Sequence, residues 1–244
     1  MNVRATVAVA ARVLAQLRRD PRTLALVIGV PALLETLLEQ IFAGHGATFQ
    51  HIGAPLLGLF PFVSMFLVTS ITMLRERNSG TLERLMTLPI GKLDLLAGYG
   101  AAFALLAALQ VAFVAAIAFG PLGLEVHGPR WIVAALAVGN AILGSALGLA
   151  ASAFARTEFQ AVQFMPGVVF PQILLCGLFV AREEMARWLR WVSDALPLTY
   201  AYDALAHTAS NTLDDRFALD VAVVACVTVL ALALGAASLR RRTA

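Results

Sequence analysis

Long apolar runs alternate with short polar intervals along this chain. Residues 23–43, 53–74, 95–119, 131–154, 159–180 and 217–239 each form a mostly apolar run of the length, roughly 20 residues, that carries a helix across a bilayer. Backbone groups in lipid have to be satisfied within the segment, so these runs predict six membrane helices. No stretch shows the period of two that marks the strands of a membrane barrel. Ahead of the first run, Val3, Val7, Ala10, Leu14 and Leu17 recur at helical spacing while Arg4, Arg12, Gln16 and Arg19 lie off the stripe. That pattern predicts a helix lying in the membrane interface over residues 2–20, broken at Asp20-Pro21. In the long interval 181–216, Met185, Trp188, Leu189, Val192 and Leu196 share a helical face, and Pro197 ends it. A second short helix from Tyr200 to Ala209 then makes a helical hairpin before the last run. The expected fold is an all-α integral membrane protein, with residues 1–244 forming a single transmembrane domain.

Composition agrees with the pattern. Mean hydropathy is +0.82 and only 14% of residues are charged, whereas soluble domains carry about 25%. The charges that remain set an orientation. Of the 18 Lys and Arg, all but Arg130, Arg182, Arg187, Arg190 and Arg216 fall on the side of the N-terminus, which predicts both termini in the cytoplasm. The net charge of +3 is therefore a topology signal and gives no reason to expect nucleic acid. Cys176 and Cys226 sit inside apolar runs and read as small buried hydrophobes, not as a disulfide or metal site.

Polar residues inside the runs are the next candidates. Glu35 lies past the midpoint of the first run, where a carboxyl is expensive and normally faces protein or a watery cavity; Glu39, four residues on, reads as an interfacial anchor. A carboxylate that only hydrogen-bonds to a neighbouring helix is the other reading of Glu35. Asn140, Gly144 and Ala151 share a face of the fourth run, and Gly144-x-x-x-Gly148 is spaced for close helix packing. The fifth run carries Gln160, Gln163 and Gln172 together with Pro166 and Pro171, which predict a kink.

The densest internal block of charge is RERNSGTLERLMTLPI, over residues 75–90. Arg75, Glu76 and Arg77 extend the second run, Ser79-Gly80 ends it, and Thr81 caps a short helix with Glu83 in its first turn before Pro89. Leu82, Leu85 and Met86 line one edge of that turn. Such an edge either lies flat on the membrane or enters a groove on a partner.

The stretch from Glu76 to Pro89 resembles the signature of the permease subunits of ABC-2 type transporters, and Pro197-Leu198-Thr199-Tyr200 is similar to a second block of that family. The family usually places Arg or Gln about six residues further on, where this chain has Ala206 and His207. The resemblance implies six spans with an elbow helix, an outer hairpin, and a coupling helix over 75–90 that docks on an ATPase through Arg75, Glu76, Arg77, Gly80, Thr81, Leu82, Glu83, Leu85, Met86 and Pro89. It implies a half-size bacterial inner-membrane exporter of drugs, polysaccharides or lipids, and the polar residues within the runs, Glu35, Asn140, Gln163 and Gln172, are the candidates for the path of an amphipathic substrate. The chain carries no G-x-x-x-x-G-K-[ST], so ATP and Mg are expected on a separate P-loop ATPase subunit, in two copies beside a second permease, identical or paralogous. No cofactor, metal or catalytic residue is expected in this chain. A channel or ion-coupled carrier is the alternative. Glu183-Glu184 and His207-x-x-x-Asn211 also resemble motifs of intramembrane metalloproteases, but they fall in one interval with too little chain between them for a span.

Overall fold

The computed structural model describes residues 2–87, 91–212 and 216–237, with the side chains of Ala47, Glu83, Met86 and Lys92 left aside. Every regular element among them is a helix. In chain order these are α1 (Val3–Arg18), α2 (Pro21–Ile41), α3 (Gly46–Asn78), α4 (Thr81–Thr87), α5 (Lys92–Phe119) and α6 (Arg130–Ala151). They continue as α7 (Glu158–Phe164), a π turn (Met165–Val169), α8 (Phe170–Leu175), a 3-10 turn (Arg182–Glu184), α9 (Arg187–Asp194), α10 (Pro197–Ala209) and α11 (Phe217–Ala237). Five helices, α2, α3, α5, α6 and α11, are long and apolar enough to cross a membrane, and the chain is a multi-pass membrane protein.

The fifth expected span is not one helix. Residues 158–175 form two short α-helices joined by a π turn that contains Pro166 and Gly167, and Pro171 opens α8. Proline lacks the N–H for the i→i−4 ladder and its ring crowds the preceding turn, so the hydrogen bonds reset around it. The expected edges move as well. The second helix begins earlier than its apolar run, at Gly46, and ends at Asn78 beside the expected Ser79-Gly80 stop, and the fourth stops at Ala151.

The core is built on α3 and α6, which run in the same direction. Gly58 faces Asn140, Phe62 faces Gly144 and Phe66 faces Gly148, a step of four on both helices. A Cβ at Gly144 or Gly148 would lie 2.3 Å from the carbonyl oxygen of Phe62 or Phe66, so only glycine lets the backbones meet. Asn140 Nδ2 donates to the Gly58 carbonyl at 3.1 Å, and Gln110 of α5 donates to Ser64 of α3.

Helix α1 lies against the start of α5, where Gly98 leaves room for Val9 and the Thr6 carbonyl. Its buried stripe is Val9, Val13 and Leu17 with Ala10 and Leu14 partly covered; Val3 and Val7, expected on that stripe, are 68% and 60% exposed. The apolar arc of α1 is wide, from Val9 and Val13 round to Val3 and Val7, so spacing alone does not say which edge of it meets protein.

At the opposite end, α9 is shorter than its apolar stripe suggested, and Pro197 opens α10 instead of closing α9. Ser193 Oγ donates to the Leu175 carbonyl, Thr199 Oγ1 to the Ser193 carbonyl, and Tyr200 Oη to the Asp194 carbonyl at 2.7 Å. Pro-Leu-Thr-Tyr is thus the staple of the α9–α10 corner. Trp188 and Trp191 remain exposed, as interfacial tryptophans do. Asn211 takes a positive φ of 54° just past α10, while Thr212 N–H bonds the His207 carbonyl, so His207-x-x-x-Asn211 is a helix terminus.

Candidate functional site

The charged stretch 75–87 sits at the α1 end of the molecule, where α3 leaves the core. Glu76 is 6% exposed and accepts from Arg12 Nη2 at 3.0 and 3.1 Å and from Gln16 Nε2 at 3.0 Å. Arg12 Nη1 also donates to Tyr99 Oη of α5 at 3.2 Å. One carboxylate thereby joins α1, α3 and α5. Asp94 repeats the device at the start of α5, accepting from the backbone N–H groups of Asn2 at 2.7 Å and Gly91 at 3.2 Å. Arg75 points elsewhere and makes a two-pronged pair with Glu158 of α7 at 2.8 and 2.9 Å. Both partners are largely exposed, so this pair steers α7 more than it stabilises it.

Between α3 and α4 the chain reverses at Gly80, whose φ is +69°, a value that costs a residue with a Cβ. Arg84 N–H bonds the Gly80 carbonyl, which makes Gly80 the cap and Thr81 the first helical residue; Thr81, expected as the cap, instead meets Ser79 Oγ at 2.8 Å. Leu82 is 4% exposed and shares a buried cluster with Val13, Leu17 and Met73, so its side chain is held within this chain and is not free to enter a partner. Leu85 is partly covered by the same cluster, and Arg84 and Thr87 are exposed. The side chains of Glu83 and Met86, and all of Pro89, lie outside the described residues. A cleft of about 370 Å³ opens beside this turn, with Gln16, Asp20, Thr23, Arg75, Glu76 and Thr81 in its wall. Asp20 caps α2, and hydrogen bonds from the Thr23 hydroxyl and N–H hold its carboxyl below the usual carboxylate range.

The four polar residues expected along a path do not converge. Glu35 is fully buried against Gly53 of α3 and Leu124, and neither of its oxygens has a hydrogen-bond partner among the described residues. Asn140 is spent on the α3–α6 seam. Gln172 is 3% exposed and donates to the Val168 carbonyl one turn back, while Gln163 faces outward in a surface recess with Phe154, Arg156 and Gln160.

A second polar cluster lies at the hairpin end. Arg182 pairs with both Asp194 and Asp203, and burial pushes the Asp203 carboxyl above the usual carboxylate range even with that guanidinium beside it. Among the described residues no three His, Cys, Asp or Glu side chains are placed to hold a metal ion.

Arg12, Gln16 and Tyr99 escaped the sequence reading because their partner is distant along the chain and polar residues on an interfacial helix have an ordinary explanation in water. Arg12 off the apolar stripe was the available signal.

The sequence model described as ABC-2 type transporter matches residues 4–209. The chain is 25% identical over 173 residues to ABC transporter G family member 20 of Dictyostelium discoideum, covering 70% of this chain and 24% of that one. It is 22% identical over 174 residues to ABC transporter G family member 23 of the same organism, covering 71% and 25%. It spans about a quarter of the length of these curated relatives.

Proposed function

Since the chain belongs to the ABC-2 type transporter family, we propose that it is the membrane-spanning permease of an ATP-driven exporter, working with an ATPase that its own 244 residues do not contain. The observation that carries this reading is α4, a short helix held at the mouth of a spanning helix by a buried network and presenting Arg84 and Thr87 outward. In this reading the α1 end faces the cytoplasm, α4 is the coupling helix, and the broken stretch 158–175 is the fifth of six spans. Two such permeases, identical or paralogous, stand over two ATPase subunits in a bacterial inner membrane, and the cargo is amphipathic, a drug or a lipid-linked molecule.

Motion reaching α4 would pass inward through its buried contacts. Leu82 and Leu85 anchor it to the cluster of α1, α3 and α5, and Glu76 locks those three helices together, so α4 moves with them as one body. The docking face is accordingly the Arg84 side of α4, not Leu82. Arg84→Glu reverses a rim charge while leaving the buried edge intact. ATPase retained on the purified permease should fall about tenfold, the equivalent of ~1.4 kcal/mol, with thermal stability of the permease unchanged. Undiminished ATPase retention would remove α4 as the docking helix.

A further inference from the structure

At the hairpin end, a cavity of about 650 Å³ lies between the hairpin and the first turns of α3 and α11. Glu183, Asp194, Asp203 and Asp220 line it against Arg182 and Arg216, so its walls carry excess negative charge whenever His51 and His207 are neutral. Arg182 answers Asp194 and Asp203. Asp220, in the first turn of α11, is 5% exposed and lines this cavity, and Arg182, Arg216 and His207 act on its charge from a distance, with no ion pair to its carboxylate among the described residues. A buried carboxylate that no cation touches directly is costly, and a cation arriving at the cavity wall lowers that cost.

The rest of the wall says what kind of cation. Phe179, Tyr200 and Tyr202 contribute rings, and Leu178 and Leu219 contribute apolar surface. Tyr200 is fixed by its bond to the Asp194 carbonyl, and Tyr202 lies over Gly177, whose φ of +106° brings the backbone close to the ring. A small hydrated ion would gain little from such walls, and the described carboxylates do not converge as metal ligands. An organic cation gains from both, through the carboxylate and through the faces of the rings. The volume suits a drug-sized molecule.

We infer that this cavity binds the cationic head of an amphipathic organic molecule, with Asp220 as its counter-charge and Tyr200 and Tyr202 as its aromatic walls. That the bound cation is exported cargo rests on the permease reading above; the site itself does not.

Tetraphenylphosphonium, an apolar cation without acidic protons, is the probe, and tetraphenylborate is the anion of matching shape. Titrated into the purified chain in nanodiscs of zwitterionic lipid, with empty discs as the blank, the cation should bind saturably and the anion should not. Asp220→Asn keeps the shape and should weaken cation binding about tenfold, and Tyr200→Leu about threefold. No saturable binding above the blank, equal binding of the two ions, or an Asp220→Asn variant that elutes as the parent does and binds like it overturns the inference. If Asp220→Asn does not fold, the Tyr200→Leu loss and the cation-over-anion preference decide the matter. ATPase retention on the same preparation separates the two readings. Cation binding lost with the ATPase retained removes this site and leaves the permease; the converse removes the permease and leaves the site.

Discussion

Glu76 takes three hydrogen bonds in a place where water could supply little in exchange. Removing its carboxylate leaves the Arg12 guanidinium and the Gln16 amide facing a nearly closed site, and Arg12, with its side chain 28% exposed, recovers only part of the loss from solvent. Glu76→Ala should destabilise the purified protein by ~1–3 kcal/mol, and Arg12→Ala with Glu76→Ala by less than the sum of the two, as thermal unfolding in detergent would read it. Additive losses would mean that the pair is not coupled. In the sequence Glu76 stood out as one charge among several, and its neighbours suggested a surface that meets a partner. The structure turns it inward and leaves Arg84 outward, because α3 carries its helical phase past the end of its apolar run. The sequence placed the end of α3 at Ser79-Gly80, but which side of its last turns meets α1 depends on how α1 packs across it.

The elements were legible where one force decided them. Five spanning helices follow from the apolar runs alone, since lipid leaves the backbone no alternative. The small-residue spacing in α6 announced a close contact, and the carbonyls of Phe62 and Phe66 now identify what comes close. Gly148→Ala puts a methyl carbon where 2.3 Å remains, so α3 and α6 must part; the expected loss is ~1–3 kcal/mol in thermal unfolding. Gly139→Ala, in the same helix with open space around it, should be neutral or slightly stabilising. Equal effects at the two positions would refute the seam. The fifth run was legible as apolar and as bent, but not as three pieces. Two prolines and a glycine allow several hydrogen-bond patterns, and the packing of neighbouring helices selects among them.

At the scale of the molecule, much of the surface has no partner within this chain. Helices α2 and α11 are only 22% and 11% buried over their most apolar windows, and Leu26, Leu33, Leu230 and Leu234 stand outward. Such faces suit lipid; the chain alone in water would aggregate. Charge placement gave the proposed orientation, and it has a direct check. In a variant with Cys176 and Cys226 replaced by Ala, a cysteine at position 84 should react with a membrane-impermeant maleimide only in inverted vesicles, and one at position 188 only in right-side-out vesicles. Reaction in the reverse pattern would overturn the orientation, and with it the docking of α4 on a cytoplasmic ATPase.

The shared direction of α3 and α6 also governs how they are able to move. Their facing positions recur every four residues, so the seam resembles two toothed racks with a pitch of about 6 Å along the helix axis. A slide of one tooth sets Phe62 over Gly148 but carries Phe66 onto Ser152, and the opposite slide carries Phe62 onto Asn140, so either one drives a carbonyl into a side chain. Axial travel along this seam is therefore blocked in both directions, and α3 and α6 shift together or part.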